Sequence, residues 1–347
     1  MIYILIAIIA AGVLVLVHEF GHFALAKLFG MPVEIFSIGY GRPIIKFKRG
    51  ETAYGIGAFP LGGYVKIIGL DPRERELLPE DKKSSFKLQP YWKRALVASG
   101  GSIANILLAA FLFAAIFMIG VPTPTTTIEK VLPNSPATEA RFRAGDKIIA
   151  VEKKAVSKWE EVVTTIRRTE KKELEFQVLR KSQKITLHAA IAKREGVNFI
   201  GVVARTSREV SRLSLLKSLY QGLIWAGLMI AGVVQAFYLL IIGKLPFRPV
   251  SPIGIVQITS QAAAQGINTF LEFLAFITIV LGITNLLPIF PLDGGRVAMW
   301  TVERIKGSPL KTQTVVIVQV IGIGLLVVLV TSAVYLDIFR PLPSPFK

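Results

Sequence analysis

The chain contains no cysteine, so disulfides, thiolate zinc sites, iron–sulfur clusters and cysteine nucleophiles are all excluded. It is also poor in charge: 18% of its 347 residues are charged, against about 25% in an ordinary soluble domain. Hydrophobic residues make up 52% of the chain, which argues against a soluble globular protein. Only three histidines are present, so any imidazole chemistry must use His18, His22 or His188.

The net charge of +18 raises nucleic-acid binding as a first hypothesis. No nucleic-acid-binding motif is present, however, and the charges lie between long apolar segments, as they do in membrane proteins. We therefore predict no nucleic-acid partner and expect the chain to reside in a lipid bilayer.

A membrane-spanning helix needs about 20 mostly apolar residues. Four uncharged stretches meet this requirement and predict four transmembrane helices: 1–17 with its apolar continuation to Phe29, 95–121, 273–292 and 312–336. The first stretch lacks a basic region before it and is not predicted to be a cleaved signal peptide. A fifth stretch, 218–243, is interrupted by Gln221 and Gln235, and 249–271 is predicted to be interfacial or partly re-entrant.

Lysine and arginine in short loops predict the orientation. They cluster after the first span and between the last two, which places 30–92 and 296–312 in the cytoplasm and both termini outside. Because no transit peptide precedes the first span, we expect a multi-pass protein of the bacterial cytoplasmic (inner) membrane.

Short runs that alternate polar and apolar residues fill 125–205, with one helical pattern at WEEVVTTIRR. This pattern predicts an inserted α+β domain. The predicted fold is thus a polytopic α-helical membrane protein with this insert and a membrane-associated β-hairpin. The predicted regions are 1–120 with two spans and the hairpin, 121–206 as the insert, 207–268 as an amphipathic helical linker, and 269–347 with two spans.

The first span contains His18-Glu19-Phe20-Gly21-His22, an H-E-x-x-H pattern. Side chains four residues apart lie on one face of a helix, so the two imidazoles can share a zinc ion with Glu19 as general base. Ionisable residues inside a span are costly and usually functional. The pattern predicts one Zn²⁺ per chain, with Glu19 as the catalytic residue.

Catalytic zinc usually has three protein ligands and one open position. His188 lies in the strand-like run KITLHAA and is predicted to be a surface residue, so a carboxylate should complete the site. Asp293 follows an uncharged span that Pro288 and Pro291 interrupt, and two glycines follow it. The alternative is that Asp293 merely caps a helix over 296–306. Asp293 can reach the cytoplasmic side with His22 only if 218–243 does not cross the membrane.

These residues resemble the site-2 protease family of intramembrane zinc metalloproteases, and its bacterial regulator-of-sigma-E-protease branch is the most similar. The resemblance rests on HEFGH, Phe59–Lys66, Gly100–Asn105, Ser251–Val256 and NLLPIFPLDGG. It implies that His18, His22 and Asp293 bind zinc, that Glu19 is the base, and that Asn105 and Asn285 hold the substrate backbone. Val131–Ala137, Arg143–Val151 and the helix near Trp159 resemble a single PDZ domain, which implies an extracytoplasmic groove for an extended peptide that gates substrate entry.

The segment Gly55–Gly69 predicts a glycine-rich β-hairpin at the cytoplasmic face. Its strand edge could receive the substrate, with contacts at Gly62, Gly63 and Tyr64, or it could be an ordinary interfacial hairpin. Gly101 and Asn105 share one helix face, which allows close helix packing or a hydrogen bond to an exposed amide.

The predicted function is hydrolysis of peptide bonds within or near the transmembrane segments of single-span membrane proteins, such as anti-sigma factors or remnant signal peptides. An aspartyl protease is disfavoured because Asp293 and Asp337 end consecutive antiparallel spans. A serine protease is disfavoured because no G-x-S-x-G occurs. The remaining alternative is a catalytically silent, PDZ-bearing membrane scaffold.

Overall fold

The computed structural model of the protein describes residues 2–70, 85–194 and 197–340. The chain forms two compact units. The first, which we call the membrane unit, comprises Met1–Ile119 and Ser214–Lys347 and carries the long apolar helices. The second, which we call the insert, comprises Gly120–Leu213.

Ten helices are present in the described part of the chain. They are α1 (Ile2–Leu28), α2 (Tyr91–Ala98), α3 (Gly100–Ile119), α4 (Pro136–Glu139), α5 (Trp159–Arg168), α6 (Leu215–Ile241), α7 (Pro252–Gln265), α8 (Ile267–Asn285), α9 (Asp293–Lys306) and α10 (Thr312–Phe339). A short 3₁₀ helix covers Phe86–Leu88.

Five of these helices are long and apolar enough to cross a membrane: α1, α3, α6, α8 and α10. Length and composition alone therefore do not separate α6 from the four predicted spans. The predicted span 95–121 is divided, because α2 ends at Ala98 and α3 begins at Gly100. Helix α8 ends at Asn285, just before the prolines that were expected to interrupt it.

Helices α1, α3 and α8 form the centre of the membrane unit. Ala10 and Leu14 of α1 pack with Leu274 of α8 and with Leu108 and Leu112 of α3. The backbones of α1 and α3 approach closely, since a Cβ built on Gly100 would lie 2.7 Å from the carbonyl oxygen of Gly21. Glycine at both positions allows this approach.

The membrane unit also contains a β-sheet made of β1 (Val33–Arg49) and β2 (Thr52–Ile67), which are joined by a turn at Gly50 and Glu51. The two strands are long and irregular, so residues 33–38 pair with 53–56 on one side and with 63–67 on the other.

The prediction of a hairpin within Gly55–Gly69 is therefore wrong. Its two halves flank residues 33–38 and do not pair with each other. A glycine-rich segment is compatible with a bend as well as with a turn, and the strand that separates the two halves is distant in sequence. One core cluster joins this sheet to the ends of α1 and α2: Ala26, Met31, Val33, Ile67, Phe86 and Val97.

The insert consists of an antiparallel sheet with two helices, α4 and α5, and a separate strand pair. Its strands are β3 (Val121–Val131), β4 (Lys147–Val151), β5 (Lys154–Ala155), β6 (Glu173–Arg180), β7 (Gln183–Ala190) and β10 (Val202–Ser211), in the order β10-β3-β4-β6-β7 with β5 beside β4. A separate pair is formed by β8 (Ala192–Arg194) and β9 (Val197–Phe199).

The α+β pattern predicted for this region is confirmed at the level of secondary structure, including the helix at WEEVVTTIRR. The core of the insert is formed by apolar residues from the sheet, from α5 and from the loops, with Ile128, Ile148, Val162 and Phe176 almost fully buried. Buried Asp146 accepts two hydrogen bonds from Arg180 at 2.7 Å.

Candidate metal centre

Two imidazoles project from one face of α1 towards the same point. The Nε2 atoms of His18 and His22 lie 3.3 Å apart. Helical spacing alone accounts for their shared direction, because residues four apart lie on nearly the same face. His22 is buried and its Nδ1 lies 2.8 Å from the carbonyl oxygen of Val97, which fixes the orientation of the ring.

Asp293 completes the group from the other end of the chain. Its Oδ2 atom lies 3.2 Å from Nε2 of each histidine. Burial by itself would raise the pKa of Asp293, but hydrogen bonds and charge interactions with His18 and His22 outweigh it and lower the pKa below its ordinary value. The carboxylate is therefore in the ionised form that a metal ligand requires.

Two glycines allow Asp293 to occupy this position. A Cβ built on Gly294 would collide with the backbone carbonyl of Leu286, and one built on Gly295 would lie 2.7 Å from the backbone nitrogen of Phe290. The chain between α8 and α9 thus folds back tightly on itself. This packing places the first residue of α9 beside the two histidines of α1.

Gly101 of α3 closes another side of the group. A Cβ at this position would lie 2.5 Å from Cε1 and Nε2 of His18 and from Nε2 of His22. No side chain fits there without displacing the imidazoles. The structure therefore gives Gly101 a closer role at the site than helix packing alone.

Glu19 faces a cavity of about 330 Å³ beside the two histidines and Asp293. Its carboxylate accepts a hydrogen bond from the backbone N–H of Val65. A Cβ on Gly63 would lie 3.4 Å from Cγ of Glu19, so the strand segment 63–67 passes directly beside this side chain. The remaining lining comes from the sheet, α2, the 3₁₀ helix and the start of α9: Gly63, Tyr64, Val65, Ile67, Leu70, Phe86, Val97, Ala98, Pro291 and Arg296.

Comparison with known proteins identifies the family. The model of peptidase family M50 matches residues 6–329. The chain belongs to peptidase family M50. The resemblance to the site-2 proteases is thereby confirmed, and this M50 peptidase is a metalloprotease of a multi-pass membrane-protein family.

Curated relatives match the M50 peptidase along almost its whole length. A protein of Clostridium acetobutylicum named as a zinc metalloprotease is 33% identical, and the alignment covers 98% of each chain. Zinc metalloprotease RasP of Geobacillus kaustophilus is 29% identical over 95% of this chain and 96% of its own. Regulator of sigma-W protease RasP of Bacillus subtilis is 27% identical over 96% of this chain and 97% of its own.

One solved structure matches part of the M50 peptidase. It is the PDZ domain of an SdrC-like protein from Listeria monocytogenes, which is 15% identical and aligns over 24% of this chain and 90% of its own. Its TM-score is 0.22, which is too low for us to infer a function from the likeness.

The donor set of the M50 peptidase fits zinc. Two imidazole nitrogens and one carboxylate oxygen are 3.2–3.3 Å apart. Bond lengths of about 2.0–2.1 Å in a tetrahedral site place ligand atoms about 3.3 Å from one another. Among the described residues this is the one group of three or more such side chains that could hold a metal ion, and His188 is not part of it.

The residues expected to hold substrate occupy different positions. Gly63 and Tyr64 line the cavity. Gly62, which precedes Gly63 in the chain, is buried. Nδ2 of Asn285 lies 3.4 Å from Nε2 of His18. Asn105 is only 1% exposed, and it contacts the other ring nitrogen of His18.

Two groups at the site were not predicted from the sequence: the side chain of Arg296 and the backbone carbonyl of Val97. Arg296 lines the cavity, and its position one turn after Asp293 on α9 is the sequence signal that could have indicated it. The carbonyl of Val97 carries no such signal, because every residue has a backbone carbonyl and only the tertiary packing selects one.

Proposed function

We propose that this M50 peptidase hydrolyses peptide bonds within or next to the transmembrane segments of single-span membrane proteins. His18, His22 and Asp293 hold one Zn²⁺, and Glu19 is the catalytic base. The proposal rests above all on the separation of 3.2–3.3 Å among the three donor atoms. Two of these atoms come from α1 and the third from the segment after α8, and both helices are long enough to cross a membrane.

Glu19 is placed to move the protons of the reaction. Zinc, when bound, polarises the scissile carbonyl and makes water acidic enough to be deprotonated near neutral pH. Glu19 lies in the same cavity and can take a proton from water and return it to the leaving amine. The hydrogen bond from the N–H of Val65 holds its carboxylate in place.

The sheet segment 63–67 supports a place for the substrate. It pairs with residues 33–38 on one side, while Gly63, Tyr64 and Val65 line the cavity that contains Glu19. An extended peptide could add to this segment, and the missing side chain of Gly63 would let its backbone come close to Glu19. We propose that Gly62 shapes this strand and that Asn285, beside His18, also contacts the substrate backbone.

The insert is proposed to be a PDZ-like gate outside the membrane. Strand β10 lies at one end of the main sheet order, where an extended peptide can add as a further strand. The role of a gate, and substrates such as anti-sigma factors or remnant signal peptides, come from the family resemblance. We also propose 121–206 as the bounds of this domain and 207–268 as an amphipathic helical linker.

The helix directions support four membrane crossings. α1 and α8 both run towards the metal centre and α3 runs away from it, so an even number of crossings must separate α3 from α8. α7 has 14 residues, or about 21 Å of helix, which is too short for a full crossing of about 30 Å. If α6 also crossed the membrane fully, no helix between α6 and α8 would be long enough to carry the chain back across it.

Helix α6 packs against α3. Gly222 lies against Ala110 and Ala114, and Trp225 lies against Phe113 and Phe117 further along α3. These contacts hold α6 against the half of α3 that lies further from the metal centre. We propose that both termini and the insert are extracytoplasmic and that the metal centre lies towards the cytoplasmic side of a bacterial inner membrane.

Cleavage and zinc content together test the function. Purified protein is incubated with a model single-span substrate, and zinc per chain is measured. We expect Glu19→Gln to retain zinc and lose about 10²–10⁴-fold in cleavage rate, since general acid–base catalysis contributes that much. Asp293→Ala should lose both zinc and cleavage.

The matched control is His188→Gln, which alters a histidine outside the donor group and should keep both properties. Equal cleavage by the parent and Glu19→Gln would refute the mechanism. A parent protein that binds zinc but cleaves no substrate would favour the silent scaffold.

A further inference from the structure

Asn105 is buried beside a metal-binding histidine instead of facing the cavity. It lies on α3, is 1% exposed, and is absent from the cavity lining. Its amide nitrogen lies 3.3 Å from Nδ1 of His18. Thr278 of α8 donates a hydrogen bond to its backbone carbonyl at 3.4 Å, so α8 covers Asn105 on that side. A substrate could reach this amide only after the helices had separated.

The tautomer of His18 decides which atom of the Asn105 side-chain amide faces the imidazole ring. Nε2 of His18 points into the donor group, 3.2 Å from Oδ2 of Asp293 and 3.3 Å from Nε2 of His22. If Nε2 binds the metal, as the proposed function requires, a neutral imidazole carries its proton on Nδ1. Nδ1–H is a donor and needs an acceptor.

The amide of Asn105 can supply that acceptor. The oxygen and nitrogen of an Asn side chain are interchangeable in position by a flip of the amide. In the orientation with Nδ2 towards His18, the buried Oδ1 has no hydrogen-bond partner among the residues that the structure describes. Turning the amide places Oδ1 where Nδ2 now lies, 3.3 Å from Nδ1 of His18. Since one amide atom stays without a partner in either orientation, the protonated ring nitrogen determines the choice.

The second histidine is held in the corresponding manner. Nδ1 of His22 lies 2.8 Å from the carbonyl oxygen of Val97. Each imidazole would thus direct Nε2 to the metal and donate Nδ1–H to an oxygen, which is the usual arrangement around metal-bound histidines.

We propose that Asn105 is a positioning residue of the metal centre, whose side-chain oxygen accepts a hydrogen bond from Nδ1–H of His18 and holds that ring in its metal-binding tautomer. This inference rests on the proposed function. It replaces the substrate contact that the family resemblance implied for Asn105.

Two variants separate an acceptor from a donor role. Asn105→Leu removes the acceptor, while Asn105→Asp keeps a carboxyl oxygen and removes the amide donor. The zinc dissociation constant is measured by competition with a chelator. We expect Asn105→Leu to weaken zinc binding about 10–100-fold, as is typical when such a partner is lost. Asn105→Asp should bind zinc about as tightly as the parent, and neither variant should raise KM.

Ser102→Ala is the matched control, because Ser102 is equally buried on α3 and its hydroxyl has no hydrogen-bond partner in the described part of the chain. It should leave zinc affinity unchanged. A raised KM in both Asn105 variants with parental zinc affinity would overturn the inference and restore the substrate role. A parent protein without zinc, or one in which Asp293→Ala binds zinc normally, would overturn the proposed function and this inference with it.

A spectroscopic measurement covers the case in which Asn105→Leu does not fold. With ¹⁵N-labelled histidine the parent chain gives signals from three histidines only, and His188→Gln identifies one of them. We expect zinc-loaded protein to show Nδ1 of His18 protonated and Nε2 unprotonated. An unprotonated Nδ1 would overturn the inference.

Discussion

Replacement of Gly101 by alanine should disable the metal centre while leaving the helix intact. The added Cβ would lie 2.5 Å from Nε2 of both His18 and His22, the two atoms proposed to bind zinc. Ordinary van der Waals contact begins at 3.4 Å, so the rings or α3 must move by about 0.9 Å. The contacted atoms belong to rings fixed on their other side, and His22 is anchored to Val97.

The size of the effect follows from that displacement. A misplacement of about 1 Å at a catalytic site can cost about 10²-fold in rate, or about 2.7 kcal/mol of transition-state stabilisation. Alanine is favoured over glycine inside a helix by about 0.5–1 kcal/mol. Loss of activity would therefore not come from a weaker helix.

The assay compares kcat/KM and zinc per chain for Gly101→Ala with the parent protein. Gly324→Ala is the control, because this glycine lies in α10 and a Cβ there meets nothing within 4 Å. We expect Gly101→Ala to lose about 10²-fold in kcat/KM with weakened zinc binding, and Gly324→Ala to behave as the parent. Parental activity and zinc content in Gly101→Ala would refute the close packing that the structure shows.

Two further predictions concern topology and pH. Because the chain has no cysteine, Lys244→Cys provides a single label site: an impermeant maleimide should label it in intact cells, as it should Lys154→Cys, while Arg304→Cys should need permeabilisation. Labelling of Lys244→Cys only after permeabilisation would contradict four crossings. Glu161 accepts hydrogen bonds from the backbone N–H of Ser157 and Lys158, which lower its pKa. Its contribution to stability is complete above the unfolded-state pKa and is lost as pH falls through the lowered one. Hydrogen-exchange protection factors at the start of α5, which are corrected for the slower intrinsic exchange in acid, should therefore decrease as the pH falls. An identical acid profile in Glu161→Gln would contradict this.

Local patterns were sufficient for much of the fold. Long uncharged runs predicted α1, α3, α8 and α10, because burying helical backbone in lipid requires such runs. Alternating runs predicted four strands of the insert, β3, β4, β6 and β7, of which β6 and β7 pair with each other. The pairing of the membrane-unit sheet could not be predicted in this way, because residues 33–38 separate two segments that are near neighbours in sequence.

The sequence by itself determined that two imidazoles of α1 project together, since the spacing of His18 and His22 around Glu19 directs both rings to one side of any helix. It also singled out Asp293 as an isolated carboxylate after an apolar run. Only the tertiary structure decided that the carboxylate lies 3.2 Å from both rings, that Gly101 leaves no space beside them, and that Asn105 faces His18 and not the cavity. The physical reason is that helix geometry relates residues a few positions apart, whereas contacts across 87 or 275 residues depend on how the helices pack.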